Sequence, residues 1–179
     1  MDDQFTDRLA TLDDLDALHR VMDRSIAQLQ SGFLSPEQVA ASRKVMGLDS
    51  QLVRDGTYFL VECGGRIAGC GGWSFRETLY GGDESVIARE PRPVDPATGA
   101  AKIRAMYTDP DFARRGIGRR VIALCEAAAR AAGYRRVELM ATAAGVPLYE
   151  SRGYRPSSAL QFAEIDAARV PLLRMEKTL

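Results

Sequence analysis

The chain has 179 residues, of which 46% are hydrophobic and 27% charged, and its 24 Lys and Arg balance 24 Asp and Glu. A net charge of zero predicts no global attraction to nucleic acid or to an anionic membrane surface. Three cysteines without a C-x-x-C spacing and a single histidine argue against a disulfide framework and against a metal centre, and they favour the reducing cytoplasm.

The first ten residues contain no apolar core of the kind found in a signal peptide. No apolar run in the chain approaches the roughly 20 residues that span a bilayer. The sequence therefore predicts a cytoplasmic protein with no membrane partner. Its length suits one buried core, so we expect a single domain over residues 1–179. A short first strand is predicted at residues 5–10.

Two amphipathic helices and a third helical turn are predicted next. Apolar residues recur at spacings of three and four between residues 12 and 29, after Thr11 as a candidate N-cap. The run from Ser35 to Gln38 has the form of a capping box with proline at the first helical position, which predicts a second helix to about residue 47. A further helical turn is expected near residues 49–55.

A change of period then predicts a β-hairpin. Residues 57–63 and 66–75 are β-rich and are separated by Gly64 and Gly65, which favour a tight turn. The second strand contains Gly69, Gly71 and Gly72, which weaken a strand unless another element packs close to its backbone. Residues 76–100 lack periodicity and are predicted to form a long loop, a class of segment that is often functional.

The last part of the chain predicts one β-α-β unit and two further strands. Strands are expected at residues 102–108 and 135–142, flanking a helix over residues 116–132 in which Glu126 and Arg130 form an exposed i,i+4 pair. A short helix is expected near residues 146–151, and strands near residues 159–165 and 170–177. Together, the predicted strands and helices indicate a mixed α/β sheet in a single domain.

The segment YTDPDFARRGIGRR, residues 107–120, carries the strongest chemical signal. It combines a strand, a turn, a Gly-x-Gly and a helix start, where free main-chain N–H groups and the helix dipole favour an anion. Nearby arginines supply donors suited to phosphate. A dinucleotide fingerprint would need a third glycine where Val121 stands, and a nucleoside-triphosphate loop would need Gly-Lys-Ser/Thr. The ligand expected here is another diphosphate-bearing molecule.

The same segment resembles the acetyl-CoA signature of the GNAT acyltransferases, R/Q-x-x-G-x-G/A. The resemblance extends to LYESRGY at residues 148–154 and to VPLLRMEK at residues 170–177. It implies a GNAT-type acyl-CoA N-acyltransferase fold, with a mostly antiparallel sheet, one parallel β-α-β unit and helices on both faces. Two positions depart from the family pattern: Ala113 replaces the first Arg or Gln, and Thr142 replaces a frequent Asn.

The resemblance also implies a set of site residues. Acetyl-CoA as co-substrate, with no metal, would be held by the strand before the signature, the signature itself and the start of the helix: Met106, Tyr107, Thr108, Arg114, Arg115, Gly116, Ile117, Gly118, Arg119 and Thr142. Main-chain N–H groups of residues 106–108 would polarise the thioester carbonyl. Tyr149 would protonate the departing thiolate, or would instead pack beneath the last strands.

The acceptor and the base are left open by the sequence. The expected strand at residues 102–108 contains no carboxylate, so the base is either a water relay or one of Glu77, Asp83 and Glu84 on the long loop. Trp73 and Tyr80 could line the acceptor pocket. The expected activity is acetyl transfer to a small-molecule primary amine. Protein lysine or N-terminal acetylation and a non-catalytic acyl-CoA sensor are the alternatives, and a homodimer is common in the family.

Overall fold

The computed structural model describes residues 4–179, in which eight strands form one sheet. They are β1 (Thr6–Leu9), β2 (Tyr58–Cys63), β3 (Arg66–Ser74), β4 (Ala101–Thr108), β5 (Arg136–Thr142), β6 (Arg155–Pro156), β7 (Gln161–Ile165) and β8 (Ala168–Thr178). Their order is β1-β2-β3-β4-β5-β8-β6, with β7 also paired to β8. Strands β4 and β5 are parallel, and the other pairs recorded for residues 4–179 are antiparallel.

Helices cover both faces of this sheet. They are α1 (Leu15–Leu29), α2 (Pro36–Val45), α3 (Ser50–Arg54), α4 (Ile117–Ala131) and α5 (Val146–Ser151), with short 3₁₀ turns at Leu12–Asp14 and Pro110–Phe112. Side chains of α4 and α5 join the core on one face. Those of α1, α2 and α3 join two clusters on the other face. The expected fold class, a mostly antiparallel mixed sheet with one β-α-β unit and helices on both faces, is confirmed.

Short-range signals in the sequence correctly predicted where several helices and strands begin or end. The Ser35 hydroxyl accepts a hydrogen bond from the Gln38 main-chain N–H, and the Gln38 side chain accepts one from Ser35, which is the predicted capping box. Gly64 and Gly65 have φ values of 55° and 75°, as the tight turn between β2 and β3 requires. The two-residue strand β6 had no signal in the sequence.

The glycines of β3 allow α4 to pack directly on the strand. A Cβ at Gly69 would lie 2.4 Å from Ile117 Cγ2, and one at Gly71 would lie 2.7 Å from Val121 Cγ1. Both distances are far below van der Waals contact, so larger residues would push the helix away. This close packing holds the start of α4 beside β4.

The prediction that Glu126 and Arg130 form an exposed pair is wrong. Glu126 is 5% exposed, and its carboxylate accepts two hydrogen bonds of 2.8 Å from Lys177 Nζ on β8. The helix turns this position toward the last strand, because Cys125 and Ala129 are fully buried on either side of it. A buried carboxylate is stable there since its charge is paired.

Residues 76–100 form the expected long connection, with one isolated β-bridge between Arg76 and Pro93. Main-chain hydrogen bonds link Thr78 to Glu90 and Glu77 to Arg92 across it. Within residues 4–179, no helix combines the length and apolarity needed to cross a membrane. The interpretation of the N-terminal segment rests partly on residues 1–3, which lie outside the described residues.

Candidate active site

A cleft begins where β4 and β5 separate. The two strands are in register at Ala101 with Val137 and at Lys102 with Glu138. β4 then continues to Thr108 and β5 to Thr142 without further pairing between them. Parallel neighbours that diverge leave main-chain donors and acceptors of both strands available to a ligand.

A β-bulge accompanies this separation. Between the pairs Cys70–Tyr107 and Gly72–Arg104, the single residue Gly71 lies opposite both Ala105 and Met106. Ala105 has a φ of +50°, which is rare for a residue other than glycine. Its carbonyl accepts a hydrogen bond of 2.7 Å from the buried Tyr58 hydroxyl. Tyr58 lies on β2, one strand beyond β3, and therefore stabilises the bulge from across the neighbouring strand.

The cleft opens into a cavity of about 790 Å³. Every predicted site residue except Arg115 lines it: Met106, Tyr107, Thr108, Arg114, Gly116, Ile117, Gly118, Arg119, Thr142 and Tyr149. The part lined by β4, β5, the start of α4 and α5 is called the α4 side below. The structure therefore brings together residues that the sequence places across 44 positions, from 106 to 149.

The start of α4 has the features of an anion site. Gly116 is its N-cap with a φ of +81°, and the space around its Cβ position is empty to 4 Å. The first α-helical bond runs from the Arg120 N–H to the Gly116 carbonyl. The N–H groups of residues 117–119 precede it and have no acceptor four residues earlier in the helix. Glycine adopts this φ without the strain that a side chain would add.

The neighbouring arginines differ in position. Arg114 and Arg119 line the cavity and are exposed, so they can add charge-assisted hydrogen bonds to a phosphate. Arg115 is not among the lining residues; its guanidinium lies 5.6 Å from the centre of the Phe112 ring. Arg114 has a φ of +65°. The backbone therefore turns at this residue, and the side chains of Arg114 and Arg115 point in different directions.

Tyr149 lines the α4 side from the short helix α5. Its ring packs edge-to-face on Tyr154 with centroids 5.7 Å apart, and its hydroxyl has no hydrogen-bond partner in the described part of the chain. Burial raises the pKa of Tyr149 above the usual tyrosine value, and the nearby Cys125 adds to the shift. The hydroxyl therefore stays protonated over a wider pH range than an ordinary tyrosine, and the same shift makes it a weaker acid.

The opposite part of the cavity is called the α1 side below. The sequence did not predict that the residues lining it lie together. This side is lined by the end of α1, the α1–α2 connection, the segment before α3 and the long connection: Ser25, Leu29, Gln30, Phe33, Met46, Gly47, Leu79, Tyr80 and Gly81. Phe33 is 55% exposed. An aromatic residue between two predicted helices is the one feature of the sequence that could have indicated this side of the cavity. Of the two aromatic residues that the sequence suggested for a pocket, Tyr80 lines the cavity. The other, Trp73, is buried against Phe75 and Tyr134.

Among residues 4–179, no carboxylate lines this cavity. Glu77, Asp83 and Glu84 are outside it. Asp83 accepts hydrogen bonds from the Ser50 main-chain N–H and from Arg89. No group of three or more His, Cys, Asp or Glu side chains in the same described range is arranged to hold a metal ion. Within the described residues, no carboxylate side chain is therefore placed to act as a base in this cavity.

Comparison with known proteins identifies the family. The model of the acetyltransferase (GNAT) family matches residues 24–154. The chain therefore belongs to the GNAT acetyltransferase family, and this membership indicates acyltransferase activity. No curated protein matches the chain.

Solved structures share the fold. The GCN5-related N-acetyltransferase from Rhodopseudomonas palustris is 17% identical with a TM-score of 0.70, covering 100% of this chain and 99% of that one. A ribosomal-protein-alanine N-acetyltransferase from Brucella melitensis is 19% identical with a TM-score of 0.65, covering 97% and 99%. The PaiA N-acetyltransferase from Thermoplasma acidophilum, solved in complex with coenzyme A, is 14% identical with a TM-score of 0.59, covering 98% and 99%. At these identities the likeness concerns the fold alone.

Proposed function

We propose that this protein transfers an acetyl group from acetyl-CoA to the primary amine of a small molecule. The observation that carries the proposal is one continuous cavity with two different sides. The α4 side offers an anion site and diverging strands, and the α1 side is mostly apolar. Acetyl-CoA would enter along the α4 side, with its diphosphate at the first turn of α4 and its thioester beside β4.

In this arrangement, main-chain N–H groups of residues 106–108 stabilise negative charge on the thioester oxygen. The amine nitrogen forms a bond to the thioester carbon, which places the negative charge on this oxygen, and the carbon–sulfur bond breaks when the carbonyl forms again. Tyr149 donates its proton to the leaving sulfur. Water takes up the two protons that the ammonium group loses, returning one to Tyr149 and releasing one to bulk solvent, since no carboxylate lines the cavity among the described residues. At pH 7 an amine of pKa about 10.4 must lose a proton at a cost of about 4–5 kcal/mol.

Substitution of Arg119 tests the placement of acetyl-CoA. Arg119→Glu puts a negative charge at the start of α4 on an exposed side chain, so we expect acetyl-CoA affinity to fall at least roughly tenfold by calorimetry. Arg135→Glu makes the same charge change at an exposed position outside the cavity and should bind normally. Equal affinity of the two folded variants would contradict this placement.

Thiol release on a panel of amines and peptides tests the activity. Release that depends on a small amine supports the proposal. Selective release on peptides would make the chain a protein acetyltransferase, and tight acetyl-CoA binding without release on any acceptor would make it a sensor. We further propose a cytoplasmic location, supported by the three free cysteines. A homodimer and a single domain over residues 1–179 remain predictions.

A further inference from the structure

The α1 side of the cavity is built mainly from apolar side chains. Leu29, Phe33, Met46, Leu79 and Tyr80 come from three separate segments and line the same space. Such a surface stabilises the hydrocarbon part of a ligand by removing it from water. The body of the acceptor is therefore expected to be apolar.

The charged group on this side is already neutralised. Arg104 is 5% exposed, and its guanidinium donates to Asp49 Oδ2 and to the Gly81 carbonyl, each at 2.7 Å. Its Nε has no hydrogen-bond partner within the described chain, but its charge is paired with Asp49. No acidic side chain of residues 4–179 lines the cavity. A second ammonium group on the acceptor would lose its hydration without gaining a counter-ion, which is unfavourable.

Gln30 supplies a polar group that lacks a partner. The residue is 6% exposed and lines the α1 side, yet within the described chain its Oε1 accepts no hydrogen bond. Its Nε2 donates only to the thioether sulfur of Met46, at 3.6 Å. Buried side-chain acceptors are almost always paired, so an unpaired one on a residue that lines a cavity points to a donor on a ligand. Oε1 is enclosed in this conformation, so a rotation of the Gln30 side chain would bring it to such a donor.

From these three observations we propose the class of acceptor: a monoamine on an apolar alkyl or aryl body that carries one further N–H or O–H donor, which Gln30 accepts. This proposal rests on the proposed function, because it names the amine that receives the acetyl group. Polyamines and lysine-rich peptides are disfavoured, since each brings additional ammonium groups into a side of the cavity without acids.

Three amines of equal chain length separate these alternatives. Hexylamine, 6-amino-1-hexanol and 1,6-diaminohexane differ only in the far terminus, and phenethylamine with tyramine provides an aryl pair. With thiol release as the measurement, we expect kcat/KM for aminohexanol or tyramine to exceed that of its unhydroxylated partner. The diamine should be at least roughly tenfold poorer than aminohexanol.

Three substitutions test which residues cause these substrate preferences. Gln30→Met keeps the volume and removes the acceptor, so the preference for the hydroxylated amines should disappear while acetyl-CoA affinity is unchanged. Phe33→Asp introduces an acid at an exposed rim position and should raise kcat/KM for the diamine roughly tenfold. Phe162→Asp makes the same change at another exposed phenylalanine, on β7 and outside the cavity, and should leave the preference unaltered.

The outcomes are distinct. If the wild-type protein acetylates the diamine or a lysine peptide as well as aminohexanol, the acceptor class is wrong while the transferase function stands. If Gln30→Met keeps the preference for hydroxylated amines, the role of Gln30 is wrong. If acetyl-CoA binds and no amine or peptide releases thiol, the proposed function fails, and this inference fails with it.

Discussion

At the scale of single residues, Tyr149 is the group on which the proposed proton transfer depends. Tyr149→Phe keeps the ring that packs on Tyr154 and removes a hydroxyl that has no partner in residues 4–179. We expect kcat to fall about 10²-fold, within the usual range for general acid catalysis. Acetyl-CoA affinity and thermal stability should stay nearly constant. Tyr154→Phe, at the fully buried neighbour, is the matched control and should leave kcat unchanged.

The pH dependence gives an independent check on Tyr149. Burial holds its pKa above the ordinary tyrosine value, so the acid form persists as the pH passes about 10. Wild-type kcat/KM should therefore rise between pH 7 and 10 as the amine loses its proton, with no decline assigned to tyrosine. A fall near pH 10 that is absent from Tyr149→Phe would contradict the raised pKa.

At the scale of elements, the contact between β3 and α4 depends on glycine. In Gly71→Ala the new Cβ would lie 2.3 Å from Met106 Sδ and 2.7 Å from Val121 Cγ1. We expect the free energy of unfolding to fall by about 1–3 kcal/mol, because a packed core tolerates extra volume poorly. Gly32→Ala, where no other atom lies within 4 Å, should be neutral or slightly stabilising. Equal denaturation midpoints for the two variants would show that the helix is not closely packed.

The bulge in β4 provides a second prediction at this scale. Tyr58→Phe removes the hydrogen bond to the Ala105 carbonyl, so the bulge loses the contact that holds its positive φ. We expect stability to fall by about 1 kcal/mol and acetyl-CoA affinity to fall roughly tenfold as the strand relaxes.

Tyr134→Phe is the control for this change. The Tyr134 hydroxyl also donates at 2.7 Å to a main-chain carbonyl, that of Val94, in a part of the fold outside the cavity. It should lose similar stability and bind acetyl-CoA normally. If both variants bind equally well, Tyr58 serves stability alone.

At the scale of the whole molecule, Asp49 joins three parts of the chain. It caps α3 through the Gln51 N–H, and its carboxylate binds Arg104 of β4 at 2.7 Å and Arg89 of the long connection at 3.0 Å. Asp49→Ala leaves the buried Arg104 without its counter-ion, so we expect a loss of about 3–5 kcal/mol. The melting temperature should fall by about 6–20 °C.

The control is an ion pair on the surface. Asp166 binds Lys44 at 2.7 Å with a side chain that is 77% exposed. Asp166→Asn removes the charge, keeps a residue that tolerates the φ of +53° at this position, and should change stability by less than about 0.5 kcal/mol. Comparable melting temperatures for the two variants would mean that the Asp49 cluster contributes no more than a surface pair.

The sequence by itself determined most of the elements and the glycine-led start of α4 at which the anion site is proposed, because the signals for both are local. The capping box at Ser35, the turn at Gly64 and Gly65, and the N-terminus of α4 at Gly116 each depend on side chains or φ values within a few residues. A mixed α/β sheet followed from these elements in order. The resemblance to the GNAT family implied the rest of the fold class, and the family match over residues 24–154 agrees with it.

Only the tertiary structure decided which distant residues meet. Glu126 pairs with Lys177, 51 positions away, and Gln30 and Phe33 share a cavity with Tyr80 because helices and connection pack on the same face of the sheet. The separation of β4 from β5, and with it the cleft, depends on the register between strands and on Tyr58 from a third strand. Burial of apolar faces sets these arrangements, and it acts between segments whose spacing along the chain carries no local pattern.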